Sequence, residues 1–266
     1  MIAGIFHRGS GVGNQLHRYV ATRVLALDKG YDFTMIAPDL CKVGGFMDLD
    51  MGLPNSFSYS IGEPSGKVSL NSYMEVVNDG RLKRGSAWEE TRNYYNPEFN
   101  FIPDGWIIDG EFQDERYFGH RLGEINEWLK VEPIDMPDDL CVIGFRGGEF
   151  YVYPELGLKK SYFDKGIQYM KKINPDMKFE VHTDDPVLAK QFFPDFKITH
   201  DVGVNWRSVR YAKHAIIANS SFYILPRLLS KGVTIAPRYW ARPNQDVWDF
   251  AEWSMPQNYY KCFTYL

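Results

Sequence analysis

Three short stretches in the second half of this 266-residue chain set charged or hydroxylic side chains at the ends of apolar runs. The first runs Leu140-Cys141-Val142-Ile143-Gly144-Phe145 and then breaks into Arg146-Gly147-Gly148-Glu149. An Arg past the carboxyl end of a buried strand offers a planar fork of donors, which suits a phosphate. The two glycines allow backbone to come close to a ligand. The second stretch is His182-Thr183-Asp184-Asp185-Pro186. Asp185 and Pro186 read as the N-cap and first residue of a helix, which leaves Asp184 at a strand end, where a carboxylate can accept paired N–H bonds from a guanine edge. The third is Ile217-Ala218-Asn219-Ser220-Ser221-Phe222. Hydroxyls and unpaired N–H groups at a helix start can hold an anion. Each stretch also has a plainer reading: a β-turn with a surface Arg–Glu pair, a helix cap, and N-capping by Ser220.

The elements that must position these groups follow from the pattern around them. From 140 to 237 strands and helices alternate. Strands are expected at 140–145, 178–182, 196–199, 215–218 and 233–237, with helices at 161–173, from 186, at 206–213 and from 219. Such alternation predicts a parallel sheet, and Arg146, Asp184 and Ser220-Ser221 then fall at one edge of it.

The first half opens the same way. Ile2 to Phe6 reads as a strand, His7 to Gln15 as a glycine-rich loop, and Leu16, Tyr19, Val20, Val24 and Leu27 as the apolar face of a helix ended by Gly30. A second strand follows at 33–37. The loop could be a dinucleotide fingerprint, but Asn14 stands where the third glycine belongs; it could be a structural turn; or it could bring Gly13 and Asn14 to a ligand. Residues 38–105 read as loops with one or two short helices, with Trp88, Tyr94 and Tyr95 packed or lining a groove. Asp48-Leu49-Asp50 has the form of a metal-binding pair, although three-residue matches arise often by chance. A strand at 106–110 is followed by Glu111 and Asp114 and a helix to Lys130. Asp114 could cap that helix. Residues 131–139 read as a linker, giving an N-terminal domain over 1–135 and a C-terminal domain over 136–266 whose tail holds Trp240, Trp248 and Trp253.

Composition narrows the function classes. The formal net charge of −4 argues against a nucleic-acid binder while leaving room for a local basic pocket for one phosphorylated ligand, and the 16% aromatic share fits either a sugar-binding cleft or a rich core. Cys41, Cys141 and Cys262 are far apart and suggest neither a zinc site nor a disulfide framework. No run approaches a membrane span, and the opening apolar run is too short for a secretory signal, so a cytoplasmic, reducing location is expected.

In order along the chain, Gly11-Val12-Gly13-Asn14-Gln15-Leu16, Glu111-Phe112-Gln113-Asp114-Glu115-Arg116-Tyr117-Phe118, Gly144-Phe145-Arg146-Gly147-Gly148-Glu149, His182-Thr183-Asp184-Asp185 and Ile217-Ala218-Asn219-Ser220-Ser221-Phe222 resemble five segments of glycosyltransferase family 11, the α-1,2-fucosyltransferases. More distantly they resemble the α-1,6- and protein O-fucosyltransferases. The chain departs from the pattern at Gly144, where the family has a nucleotide-holding His, and at Glu149, where it has Asp. The resemblance implies a GT-B fold, with two Rossmann-like α/β domains facing across a cleft. The C-terminal domain would hold the donor GDP-fucose and the N-terminal domain would serve the glycan acceptor. It implies an inverting transferase with no cofactor and no metal. Arg146 would bind the diphosphate and stabilise departing GDP. Ser220, Ser221 and Gly13 would help hold the donor, Asp184 or Asp185 would read the guanine, and Asn14 would sit near the reacting centre. The general base stays open among His7, Glu111, Asp114 and Glu149. Two other outcomes are carried: a transferase of this fold with another nucleotide-sugar, and a degenerate sugar- or nucleotide-binding protein.

Overall fold

Parallel strands covered on both faces read as unbroken apolar runs, and the chain follows that rule twice. The structure, a computed structural model, describes residues 1–54, 87–89, 95–153, 156–238 and 260–266. It divides into two units, Met1–Gly44 with Asp48–Leu129, and Gly45–Met47 with Lys130–Leu266. Both are mixed α/β units built on parallel sheets.

The first unit holds β1 (Ile2–Ile5), β2 (Phe33–Ile36), β3 (Ala87–Glu89) and β4 (Ile107–Asp109) in the order β2-β1-β4-β3, every pairing parallel. Helix α1 (Val12–Lys29) makes the crossover from β1 to β2. A Cβ on Gly4 would lie 2.1 Å from Thr22 Oγ1, so the bare backbone there lets α1 press onto β1. Gly30 ends α1 in the left-handed region at φ 68°, as its place in the sequence predicts. The start of α1 differs from the prediction. It lies at Val12, so Gly13, Asn14 and Gln15 belong to the first helical turn and not to the loop. The apolar count misses that turn because its anchor is polar. Gln15 is buried, donating from Nε2 to Leu40 O (2.7 Å) and accepting from Lys42 N (2.9 Å). Beyond β4 the chain forms two 3-10 turns, Glu115–Tyr117 and Gly119–Arg121, before α2 (Leu122–Trp128).

The second unit carries β5 (Leu140–Phe145), β6 (Lys178–Thr183), β7 (Lys197–Thr199), β8 (His214–Ile217), β9 (Val233–Ala236) and β10 (Phe263–Tyr265). Their order is β10-β9-β8-β5-β6-β7, all parallel. The intervening helices are α3 (Glu149–Val152), α4 (Lys160–Ile173), α5 (Pro186–Phe192), α6 (Val202–Tyr211) and α7 (Ser221–Leu228). In chain order this is the doubly wound arrangement 3-2-1-4-5-6 of dinucleotide-binding sheets. Helix α6 starts four residues before its predicted start, because Asp201 caps it by accepting from Val204 N (2.7 Å). Phe145 at the end of β5 lies among the rings of Tyr151, Phe163, Phe192 and Phe193, which tie the helices to the sheet. No described helix is long and apolar enough to cross a membrane. The side chain of Trp88, and Tyr94, Trp240, Trp248 and Trp253, lie outside the described residues.

Candidate functional site

In an open α/β sheet, ligands bind beyond the carboxyl ends of two adjacent strands whose connections leave in opposite directions. In the second unit those strands are β5 and β8, since the chain runs from β5 to β6 and β7 on one side and from β8 to β9 and β10 on the other. Arg146-Gly147-Gly148 leaves β5 and Asn219-Ser220-Ser221 leaves β8, so two of the three sequence stretches flank this point. The third, Asp184-Asp185, leaves β6, the next strand.

The loop after β5 is held by carboxylates. Arg146 donates from Nη1 to Asp184 Oδ2 and from Nη2 to Glu149 Oε1 (2.7 Å). Its guanidinium carbon lies 5.2 Å from the centroid of the Phe150 ring. Further guanidinium N–H groups remain beyond these two bonds. The backbone N–H of Gly147 donates to Asp184 Oδ1 (2.8 Å) and that of Gly148 to Asp185 Oδ2 (3.1 Å). Asp185 also caps α5 through Leu188 N (2.9 Å), as the sequence predicts. Asp184 is therefore not free at its strand end: it pins Arg146 and the loop together. The glycines are needed for the same reason. A Cβ on Gly147 would meet Asp185 Cβ at 2.4 Å, and Gly148 adopts φ +52°.

Gly144 has a structural cause that the sequence does not display. A Cβ there would lie 2.9 Å from the ring of Tyr223, which is buried against β5. The Tyr223 hydroxyl donates between Phe145 O (3.0 Å) and His182 O (3.1 Å), joining the ends of β5 and β6. Burial pushes its phenol far above the ordinary range, with the Asp184 charge adding to the effect. Gly144 thus faces a tyrosine ring already in place. Beside it, Ser220 stands at the N-cap of α7 without making a side-chain cap bond, and Ser221 opens the helix. The far end of α7 is anchored by buried Arg227, which donates to Val209 O (2.9 Å), Ala212 O (2.8 Å) and Thr234 Oγ1 (2.8 Å).

The first unit has a corresponding place beyond the carboxyl ends of β1 and β4, which pair side by side. A charged network occupies it. His7 Nε2 lies 2.8 Å from Asp109 Oδ2, and Arg18 of α1 donates to Asp109 Oδ1 and to Glu111 Oε1 (2.8 Å). Burial alone would raise the Asp109 carboxyl, but the His7 bond and the Arg18 guanidinium outweigh it and hold it below the usual aspartate range. Gln113 donates to Asn14 Oδ1 (3.3 Å), while Gly13 is buried and its carbonyl faces His17 Nδ1 at 2.8 Å.

The four candidate bases separate. Asp114 is buried and spent on structure, accepting from Arg116 N (2.9 Å), Nε (2.9 Å) and Nη2 (2.6 Å), the capping role open to it from the sequence. Glu149 pairs with Arg146, Glu111 with Arg18 and His7 with Asp109. Asp50 accepts from Gly52 N (2.9 Å) in a turn. Sequence reasoning passed over Asp109 and Arg18. The one available signal was a lone Asp at the end of an apolar run, and its partners lie 102 and 91 residues away.

No protein-family model and no curated protein matches the chain. Among solved structures that resemble it is a point mutant of Arabidopsis thaliana FUT1 in complex with GDP. It shares 10% identity at a TM-score of 0.46, covering 92% of this chain and 71% of that chain. At that score the likeness assigns no residue a role.

Proposed function

We propose that this protein is a glycosyltransferase, inverting and metal-independent, that moves L-fucose from GDP-fucose to a glycan hydroxyl. The observation that carries the reading is the 3-2-1-4-5-6 strand order of the second unit, with Arg146 and Ser220-Ser221 flanking its divergence point and Asp184 on the next strand. In this reading the 136–266 domain takes the donor. Arg146 meets the β-phosphate and stabilises the charge that grows there as the sugar bond breaks, Ser220 and Ser221 meet phosphate oxygens, and the lone pairs left on Asp184 accept from guanine, with Asp185 as the alternative. A guanidinium and the start of α7 supply positive potential without a metal. The 1–135 domain takes the acceptor, with Gly13 and Asn14 near the reacting centre. The free cysteines suit a reducing, cytoplasmic setting.

A screen of nucleotides by thermal shift and calorimetry tests this. GDP is expected to raise the unfolding temperature, and UDP and NAD to leave it unchanged. Asp184→Asn is expected to weaken GDP more than inorganic pyrophosphate. A response to UDP in place of GDP would move the donor to another nucleotide-sugar. GDP binding without transfer would point to a degenerate binding protein, the outcome that Tyr223 in the place facing Gly144 favours.

A further inference from the structure

The first unit carries a proton-accepting arrangement that no sequence motif announces. His7 leaves β1 and Asp109 ends β4, so the imidazole and the carboxylate meet at the carboxyl ends of two paired strands. The His7 bond and the Arg18 guanidinium hold Asp109 ionised, and an ionised carboxylate only accepts. The hydrogen between it and His7 therefore sits on Nε2, which leaves Nδ1 as the nitrogen through which the ring can take up a proton. Among the described residues Nδ1 has no hydrogen-bond partner, and the His7 side chain is 29% exposed, whereas Arg18 is 8% exposed. A base with an open nitrogen, oriented by a carboxylate that is itself fixed by a buried cation, has the form of a general base with its orienting group.

The surroundings add a second observation. Phe112 has φ +46°, a conformation that an aromatic residue rarely adopts. It is fully buried against the rings of Phe99 (5.6 Å) and Tyr117 (5.4 Å), so packing holds the backbone in this state. The strained residue sits between Glu111, which bonds to Arg18, and Gln113, which bonds to Asn14. Strain is thus kept where the loop presents polar groups to α1.

Resting on the transferase reading above, we infer that His7 is the general base that activates the acceptor hydroxyl, with Asp109 and Arg18 as positioning residues. The acceptor oxygen attacks the anomeric carbon of the donor. The bond from that carbon to the β-phosphate oxygen breaks, and its electron pair leaves with GDP. The hydroxyl proton passes to His7 Nδ1 and then to solvent, while Nε2–H stays on Asp109. The groups facing the imidazole are Asp109 from β4 and, behind it, Arg18 from α1 and Glu111 from the following loop.

The test uses the full chain and GDP-fucose, following GDP release with water and with a set of oligosaccharides as acceptor, across pH. His7→Gln is expected to lower kcat by on the order of 10²–10⁴-fold, to lose the acidic limb of the rate profile, and to bind GDP as the wild type does. Imidazole added to His7→Ala should restore part of the rate. Asp109→Asn should lower kcat and displace the acidic limb. A His7→Gln enzyme with near-normal kcat, or with its acidic limb intact, overturns the base while leaving the donor reading in place. A wild-type chain that neither binds GDP nor releases it from GDP-fucose overturns the transferase reading, and the base with it.

Discussion

The two units of this protein each place an arginine and carboxylates beside the carboxyl ends of their parallel strands, but they use them differently. Arg146 in the second unit is bonded to two partly exposed carboxylates, Asp184 and Glu149, over a loop whose glycine N–H groups are also tied to acids. Arg18 in the first unit is buried on α1 and locked by Asp109 and Glu111. An exposed ion pair contributes little to stability and can be exchanged for a ligand at small cost. A buried one fixes geometry and is costly to break. In the proposed reading, one unit therefore holds its cation ready to meet an anion, and the other uses its cation to set the charge and orientation of neighbours.

The widest separation expected from this contrast is kinetic. Arg146→Lys keeps the charge but loses the planar fork, so kcat for transfer at saturating donor should fall on the order of 10²–10³-fold. GDP affinity should change much less, and the urea midpoint hardly at all. Arg18→Lys, by contrast, should lower the midpoint clearly. If the two lysine variants unfold at the same midpoint, the contrast is gone.

The carboxylates give the next largest effect. Asp109→Asn leaves buried Arg18 with Glu111 alone of its two carboxylates and should destabilise the protein by about 3 kcal/mol. Asp184→Asn can still accept from Gly147 N, and its ion pair with Arg146 is partly exposed, so it should cost less than about 1 kcal/mol. Chemical denaturation of both variants at neutral pH decides this, and equal costs would show that the loop after β5 is as rigid as the core of the first unit.

The smallest effect is in acid. Burial holds His17 down at about 4 against an ordinary 6.5, so the unfolded chain takes up that proton first and stability falls as pH drops from 6.5 towards 4. Glu180 in β6 is held at about 2 against 4.5 by His182, Thr199 and Lys197, which outweigh its burial. Its contribution is present above 4.5 and is lost as pH falls towards 2. His17→Gln should flatten the upper window of the stability profile and Glu180→Gln the lower. A His17→Gln profile still as steep as the wild type's between 6.5 and 4 would mean that other groups govern that window.

Most of the second sheet was legible because its strands are apolar runs and its helices carry their own signals, such as Asp185-Pro186 at the start of α5. Strand ends follow from strand positions, so Arg146, Asp184 and Ser220 could be read as neighbours of one edge from local pattern alone. The first turn of α1 and the first turn of α6 were not read, since buried Gln15 and the Asp201 cap act through hydrogen bonds that an apolar period does not register.

What the sequence determined by itself was the class of each segment, the parallel character of the sheet from 140 to 237, and the residue types at its strand ends. Tertiary structure alone decided which of those residues are committed to one another. Asp184 could be read as a free carboxylate and Gly144 as a departure from a family pattern. Only the packing shows the first tied to Arg146 and the second pressed against Tyr223, 79 positions further along. The same holds for His7, Arg18 and Asp109. Their meeting depends on β1 and β4 lying side by side, a pairing of strands about a hundred residues apart that local periodicity does not encode.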